Sequence, residues 1–551
     1  MTLVAAVNSP GESNSDDRLV RAEQGLVVSV SQAASETGRD ILAQGGTAVD
    51  AAVATALVLA VTYPEAGNIG GGGFMLVYPA DGRPVECIDY RETAPRGATA
   101  EMFVGETNRL GHKVVGVPGT IRGLALAHAR FGKLPWKDLV APAARLAGEG
   151  FAIDAAVAKS VESVLAEEGD FAELRRVYGK PDHTPWQTGD RFVQPELAQT
   201  LRTLADEGPE AFYRGPIAEQ IVAEMQAGGG LLTAEDLAGY MAKSRPAVHG
   251  TFRGYDVYGP PLPSSGGIVL VEMLNMLETF DLARLGRWSP AAHHLTIEVM
   301  RRAYRDRAAY LGDSDFVSIP SRLTEKAYAR KLAAGIDPAR ATASADLAGE
   351  VPLAGERPHT THFSVIDRHG MAVANTYTLE YEFGAHVVVR GAGFLLNNQM
   401  SDFNWHPGST DRHGAIGTPA NVIAPGKRML SSQSPTVVAR DGRAVLVTGS
   451  PGGRTIINTV LSVILGVLEY GLPLDEAVAA PRMHQAWFPD KVEMEKSDDP
   501  HFAELKAGLE HLGHRVELRK QPLGDAHSIL VRDGAYWGAP DRRVSGYAAG
   551  Y

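Results

Sequence analysis

Cysteine is nearly absent from this chain of 551 residues: Cys87 stands alone. That excludes an internal disulfide and any zinc or iron–sulfur site built on cysteines. In the strand-like run Glu86–Tyr90 it reads as a small core residue, not a nucleophile. Basic charge is also in deficit. The formal net charge is −12, with no Lys/Arg run and no RNA-binding aromatic motif, which argues against a nucleic-acid surface. No apolar run is long and clean enough to span a membrane. Ala48–Tyr63 is interrupted by Asp50, and Thr455–Leu472 by Asn458 and Glu469, so both are expected to be buried helices. The opening Met1–Val7 lacks a basic flank and runs into the polar stretch Asn8–Asp17, which reads as a disordered lead-in and not as a signal peptide. Export and cytosolic residence both stay open. There is no internal repeat, no low-complexity tract and no Ser/His/Asp signature. No metal or cofactor is expected.

Hydrophobic residues make up 44% and charged residues 21%, an ordinary globular balance, and the length allows a large buried core. Helical spacing predicts helices over Ser31–Gln44 and Thr47–Thr62. A glycine loop, Gly67–Gly73, and a two-strand meander, Phe74–Tyr78 and Val85–Arg91, follow. From Pro118 to about Asp337 the chain reads as mainly helical, with Thr233-Ala-Glu-Asp236 as a capping box. Asp337–Pro358 has no sustained period and reads as an exposed connector. From Thr360 the pattern turns to strands: Thr361–Ile366 and Met371–Leu379 joined by an Asp367–Gly370 turn, then Thr436–Ala439 and Ala444–Thr448. The turn Gly449–Gly453 leads into an apolar helix from about Thr455.

His359-Thr-Thr-His362 proves nothing alone, and its two histidines lack a third clustered metal ligand. The hairpin makes it more interesting. With the turn near Arg368–His369, antiparallel register sets Thr360 opposite Tyr377 or Thr378, so the Thr378 hydroxyl can lie beside Thr360 Oγ1. Thr–Thr pairs across strands are also routine sheet contacts. The glycine turn before the helix presents free N–H groups at the positive end of a helix dipole, suited to a phosphate, a carboxylate or an oxyanion. A tight strand–helix connection would have the same sequence. It is not a P-loop, because no Lys-Ser/Thr pair follows.

Taken in order, several segments resemble the γ-glutamyltransferase (γ-glutamyltranspeptidase) family of N-terminal nucleophile hydrolases. They are Gly45–Ala52, Asn68–Phe74, Asp89–Pro95, Gly116–Gly119, Gly132–Trp136, Pro263–Gly267, Thr360–Ser364, Leu395–Met400, Leu430–Thr436 and Gly449–Gly453. Each is weak; together they span nearly the whole chain. The resemblance implies an α+β, four-layer αββα fold and a precursor that cuts its own His359–Thr360 bond. The products would be a large subunit, 1–359, and a small subunit, 360–551, interlaced as a heterodimer. Thr360 would then be the nucleophile, with its own α-amine as base, Thr378 beside it, and Gly452 and Gly453 as the oxyanion hole. Arg91, Ser431 and Ser432 would hold the α-carboxylate of a γ-glutamyl substrate such as glutathione, and Asp402 with Gln399 its ammonium. Water, amino acids or peptides would accept the acyl group. Glu380 stands where many members have Asn, and Gln399 where some have Glu. His413, in the stretch His406–Thr418, stands where an aromatic lid residue is often found. The rival readings are a related glutaryl or cephalosporin acylase, which would not need Asp402, and a non-catalytic binding protein on the same fold.

Overall fold

The computed structural model describes residues 19–169, 171–347, 353–354, 359–408, 415–416 and 418–551; the lead-in before residue 19 lies outside them. Two seven-stranded antiparallel sheets lie face to face. One runs, edge to edge, Tyr547–Gly550, Leu26–Ser29, His359–Ile366, Ala372–Glu380, Gly72–Tyr78, Glu86–Asp89 and Lys243–Pro246. The other runs Val20–Ala22, Ala535–Ala539, Ser528–Arg532, Arg443–Thr448, Thr436–Arg440, Tyr255–Gly259 and Val248–Phe252. Each sheet draws strands from both sides of residue 360.

Strand alternation explains the layering, because successive side chains point to opposite faces of a sheet. Leu26, Val28, Phe74 and Leu76 meet Val437, Val447 and Ile529 between the sheets. Their neighbours Val27, Met75, Val77, Phe363 and Val365 point outward under the helices Gln32–Ala43, Ala48–Thr62 and Thr120–Phe131. On the opposite outer face, Val257, Val438 and Leu446 are covered by Gly266–Leu277, Pro290–Tyr310 and Ile456–Ile464. The result is the expected αββα order. Cys87 lies in the apolar filling between the sheets. Both long apolar segments are buried helices, and no helix among the described residues is long and apolar enough to cross a membrane.

The space between the sheets changes character along the strands. At the hairpin end it holds Ile366, Ala372 and Ala374. Toward the other end it turns polar: His362 bonds Thr376 Oγ1 at 2.8 Å and Ser364 Oγ at 3.1 Å, and Thr448 Oγ1 meets Ser528 Oγ at 2.8 Å. These contacts occupy both His362 ring nitrogens, so this histidine is committed to the sheet core.

The stretch expected to be mainly helical carries a three-strand insertion, Lys243–Pro246, Val248–Phe252 and Tyr255–Gly259, which supplies an edge to each sheet. Phe252 pairs with Tyr255 across a two-residue turn, with Arg253 at φ 50° and Gly254 at φ 82°. Two positive φ values in a two-residue loop match the right-handed twist of a hairpin. Arg253-Gly254 between runs of aromatic and β-branched residues was therefore a hairpin signal inside an otherwise helical stretch. The connector is largely exposed where it is described, as expected, with one buried anchor. Ser344 is fully buried, its N–H donating to Asp490 Oδ2 at 2.8 Å and its carbonyl accepting from Trp487 Nε1 at 2.9 Å. The capping box at Thr233 and Asp236 is formed as expected.

The glycine loop lets the strand Gly72–Tyr78 lie against the Thr378 end of its neighbour. A Cβ on Gly71 would fall inside van der Waals contact with the Thr378 carbonyl oxygen, and one on Gly72 with that of Tyr90. Gly71→Ala should therefore destabilise the protein by about 1–3 kcal/mol or more, because backbone offers no room to yield. Gly97→Ala, where the added carbon meets only Leu231 Cδ2 at 3.8 Å, should change stability by less than ~0.5 kcal/mol. Equal urea midpoints for the two variants would contradict this account.

Candidate active site

The residues named from sequence converge on one cleft at the polar end of the sandwich. Its walls include Arg91, Thr360, Thr378, Glu380, Gln399, Asp402, Ser431, Ser432 and Gly453. Gly452 lies beside the wall without forming part of it.

Thr360 comes from the strand His359–Ile366 and is 8% exposed. Pairing is regular from Ile366↔Ala372 to Thr361↔Tyr377; the next pair is His359↔Glu380. Thr360 is therefore opposed by two residues, Thr378 and Leu379, a β-bulge. Bulges of this kind re-aim side chains and recur beside active sites. The Glu380 N–H donates to Thr378 Oγ1 at 2.8 Å, filling one lone pair and leaving that hydroxyl to act as a donor. Glu380 itself sits at φ 87°, a left-handed conformation that costs a non-glycine residue about 1–3 kcal/mol.

The opposite wall carries charge. Gln399–Asp402 forms a single 3₁₀ turn, in which residues three apart eclipse, so Gln399 Nε2 donates to Asp402 Oδ2 at 2.6 Å. The same carboxylate oxygen accepts from Arg91 Nη2. A carboxylate only accepts, so Nε2 must face it, and Gln399 Oε1 is left buried without a hydrogen-bond partner. Arg91 follows the strand Glu86–Asp89 and is pinned by its backbone. Its N–H donates to Asp89 Oδ1 at 3.1 Å, its carbonyl accepts from Tyr240 Oη at 2.8 Å, and Nε donates to the Met429 carbonyl at 3.3 Å. Asparagines of the Leu395–Met400 segment serve as struts. Asn397 bonds the Gly116 N–H at 2.9 Å and the Gly70 carbonyl at 2.8 Å, tying three sequence motifs into one wall.

The third wall is the turn after Arg443–Thr448. Gly452 has φ 121° and Gly453 φ 59°, values suited to glycine. A 3₁₀ turn, Gly453–Thr455, leads directly into the helix Ile456–Ile464. The first N–H groups of a helix have no intrahelical acceptor and lie at its positive end, so this corner favours developing negative charge. His413 and most of the expected lid lie outside the described residues.

Sequence reasoning passed over Gln433, Leu430, Ile456 and Glu92. The first three line the cleft, and both polar ends of the buried Gln433 amide lack a hydrogen-bond partner. The signal was its place inside Leu430–Thr436, directly after the two serines. Glu92 is fully buried with Oε2 3.8 Å from Arg91 Nη1, and neither carboxyl oxygen has a hydrogen-bond partner. Burial pushes its pKa up to about 8 despite the neighbouring guanidinium, which favours the neutral acid at pH 7.

Away from the cleft, His294, Glu298 and His514 each bring a potential metal ligand within 4.8 Å of the others. Those atoms are already engaged. His294 Nδ1 lies 2.7 Å from His514 Nε2, and Glu298 accepts from Arg301, Arg302 and the Thr342 N–H. The cluster is a hydrogen-bond network in which two guanidinium groups already share the Glu298 carboxylate.

A sequence profile described as gamma-glutamyltranspeptidase matches residues 34–551. A glutathione hydrolase proenzyme of Escherichia coli is 45% identical over 97% of this chain and 93% of that protein. An acylase ACY 1 proenzyme of a Pseudomonas strain is 37% identical over 95% of this chain and 93% of its own length. Among solved structures, a cephalosporin acylase from Bacillus halodurans superposes with a TM-score of 0.84 at 26% identity, covering 100% of this chain and 99% of that one.

Glu92 gives the site a pH signature in stability. Its carboxyl ionises at about 8 in the fold, against an ordinary 4.5. Between those values the unfolded chain has released the proton and the folded protein retains it, so stability falls as pH rises through the window and the loss is complete above about 8. Glu92→Gln replaces the neutral acid with a neutral amide. Its melting temperature should rise relative to wild type between pH 5 and pH 8.5, by the equivalent of a few kcal/mol at most. A difference that stays constant across that range would show Glu92 to be ionised in the fold.

Proposed function

The chain belongs to the γ-glutamyltranspeptidase family, and we propose that Thr360 is the nucleophile of a γ-glutamyltransferase and glutathione hydrolase. The observation that carries the reading is the placing of Thr360, an Arg91–Asp402 ion pair and the Gly453 helix start around one cleft.

Maturation comes first. Thr360 Oγ1 attacks the His359 carbonyl carbon, the C–N bond breaks as a C–O ester forms, and the nitrogen leaves as the Thr360 α-amine. Water then hydrolyses the ester, giving the chains 1–359 and 360–551. The two sheets support their staying together as a heterodimer, because each is built from both chains. The free amine, with an ordinary pKa near 7.7–8.0, supplies the base that a threonine hydroxyl lacks.

In turnover the amine takes the Oγ1 proton as the oxygen attacks the γ-carbonyl of the substrate. The N–H groups of Gly452 and Gly453 receive the oxyanion, contacts worth about 10²–10³ in rate for each donor lost. The leaving amine departs with a proton, and water or an amino acid or peptide amine then resolves the γ-glutamyl ester. The substrate head is a zwitterion. Its carboxylate takes Arg91, Ser431 and Ser432, and its ammonium takes Asp402, the Gln399 Oε1 acceptor and Glu380. Inserting it exchanges one internal ion pair for two. A glutaryl side chain would bring the carboxylate alone and offer Asp402 no cation, which favours γ-glutamyl substrates over those of the acylase relative.

Thr360→Ala should remain a single chain of full length by mass spectrometry and show no turnover of γ-glutamyl-p-nitroanilide. Asp402→Ala should still mature and lose kcat/KM by about a hundredfold or more, since it leaves a buried guanidinium without its partner. Cleavage anywhere but before residue 360, or normal turnover by Asp402→Ala, would remove the nucleophile or the substrate assignment respectively.

A further inference from the structure

The Pro263-Ser-Ser-Gly-Gly267 turn and the helix Pro290–Tyr310 have no part in the chemistry above, yet both reach the back of the cleft. Arg307, buried near the end of that helix, donates from Nε to Ser265 Oγ at 2.9 Å and from Nη2 to Ser432 Oγ at 2.9 Å. Ser265 in turn grips the Ser431 carbonyl twice, from its hydroxyl at 2.7 Å and from its backbone N–H at 2.8 Å. Ser264 Oγ holds the Gln433 carbonyl, and the Ser431 N–H donates to the Pro263 carbonyl at 2.8 Å. The serine segment of the cleft wall is thus clamped on both sides of Ser432.

The chemical consequence lies in the direction of the hydroxyl hydrogens. A guanidinium has five N–H donors and no acceptor. Its contact with Ser432 fills a lone pair of Oγ and forces the hydroxyl hydrogen away from Arg307. The Gln433 N–H, donating to Ser431 Oγ at 3.0 Å, imposes the same polarity on Ser431. Both serines line the cleft. Each hydroxyl thus has one of its two lone pairs filled and its hydrogen turned away from that donor, an orientation suited to an ionised carboxylate, and a positive charge stands directly behind one of them.

We propose that Arg307 is the positioning residue of the carboxylate subsite: it fixes Ser432 as a donor and so makes the cleft select acyl groups bearing a carboxylate on Cα. The identity of that anionic group rests on the functional reading above.

The test compares mature wild type, Arg307→Met and Arg307→Lys on two donors. One is γ-glutamyl-p-nitroanilide; the other is 4-aminobutyryl-p-nitroanilide, which keeps the amine and lacks the α-carboxylate. Arg307→Met should raise KM for the γ-glutamyl donor by about ten- to a hundredfold with kcat changed by less than about threefold. The rise in KM for the aminobutyryl donor should be smaller by about tenfold or more, because no carboxylate reaches Ser432. Arg307→Lys, whose ammonium also only donates, should recover part of the loss. Equal losses on both donors, or an unchanged KM on the first, would overturn the assignment. If Arg307→Met does not mature, a cycle of Arg307→Lys with Ser432→Ala decides: penalties that do not add support action through Ser432, and full additivity refutes it. Should wild type turn over neither donor, the functional reading fails separately. The subsite is then read by thermal shift with L-glutamate against 4-aminobutyrate, a preference for L-glutamate that Arg307→Lys weakens being the supporting result and no preference the refuting one.

Discussion

The site is organised by a buried guanidinium and a buried carboxylate that hold each other. Taking Arg91 and Asp402 out of water costs several kcal/mol per ion, and their mutual contact, with the Gln399 amide added, offsets that cost. The arrangement presets its ligand. A zwitterion can enter by exchanging partners with the pair, each charge finding its opposite. A ligand with one charge offers a new partner to only one of the two residues. On the proposed assignment of this pair to the substrate head, selectivity for an amino-acid group would follow from the poorer alternative as much as from contacts made.

Around that pair, groups that can only donate fix the polarity of groups that could do either. Arg307 and the Gln433 N–H set Ser432 and Ser431, and the Glu380 N–H sets Thr378. None of these arrangements needs a substrate to form. The cleft is preorganised because its orienting donors belong to a guanidinium or to backbone, neither of which changes protonation at ordinary pH. Glu92 extends the pattern in the opposite sense. Burial pushes its pKa up to about 8, which favours the uncharged form beside Arg91.

Much of this was legible in sequence because the relevant signals are local. The Asp367–Gly370 turn fixes a register, register fixes the neighbour of Thr360, and alternation fixes which side chains face the sheet interior. The exact opposition, Thr378 and Leu379 together, was not legible, because a bulge is decided by the surrounding sheet. The hairpin at Arg253-Gly254 was hidden by the helices on both sides. Arg307 was hidden for a different reason. The helix Pro290–Tyr310 buries His294, Glu298, Arg301, Arg302, Asp306 and Arg307, residues that in sequence look like a solvated face. They lie inside because their partners come from distant segments, such as Ser265, Ser344 and Ser432. Long-range pairing of this kind leaves no periodic trace.

The bulge at Thr360 also bears on how one residue can serve both self-cleavage and turnover. In a regular ladder, Thr360 and the residues before and after it would each face one partner, and the side chain would take its usual place among its sheet neighbours. Here two residues oppose Thr360, the pairing resumes only at His359↔Glu380, and Glu380 is held in a left-handed conformation at that point. Local twist and side-chain direction are thus altered at the bond that the proposed self-cleavage breaks. The same irregularity aims Thr378 into the cleft. Once the bond before it is cut, Thr360 remains anchored through its C-terminal strand, which is paired on both sides from Ser364 onward. As the proposed nucleophile, Thr360 would gain a free amine without losing its position, because the strand that holds it is paired independently of the bond before it.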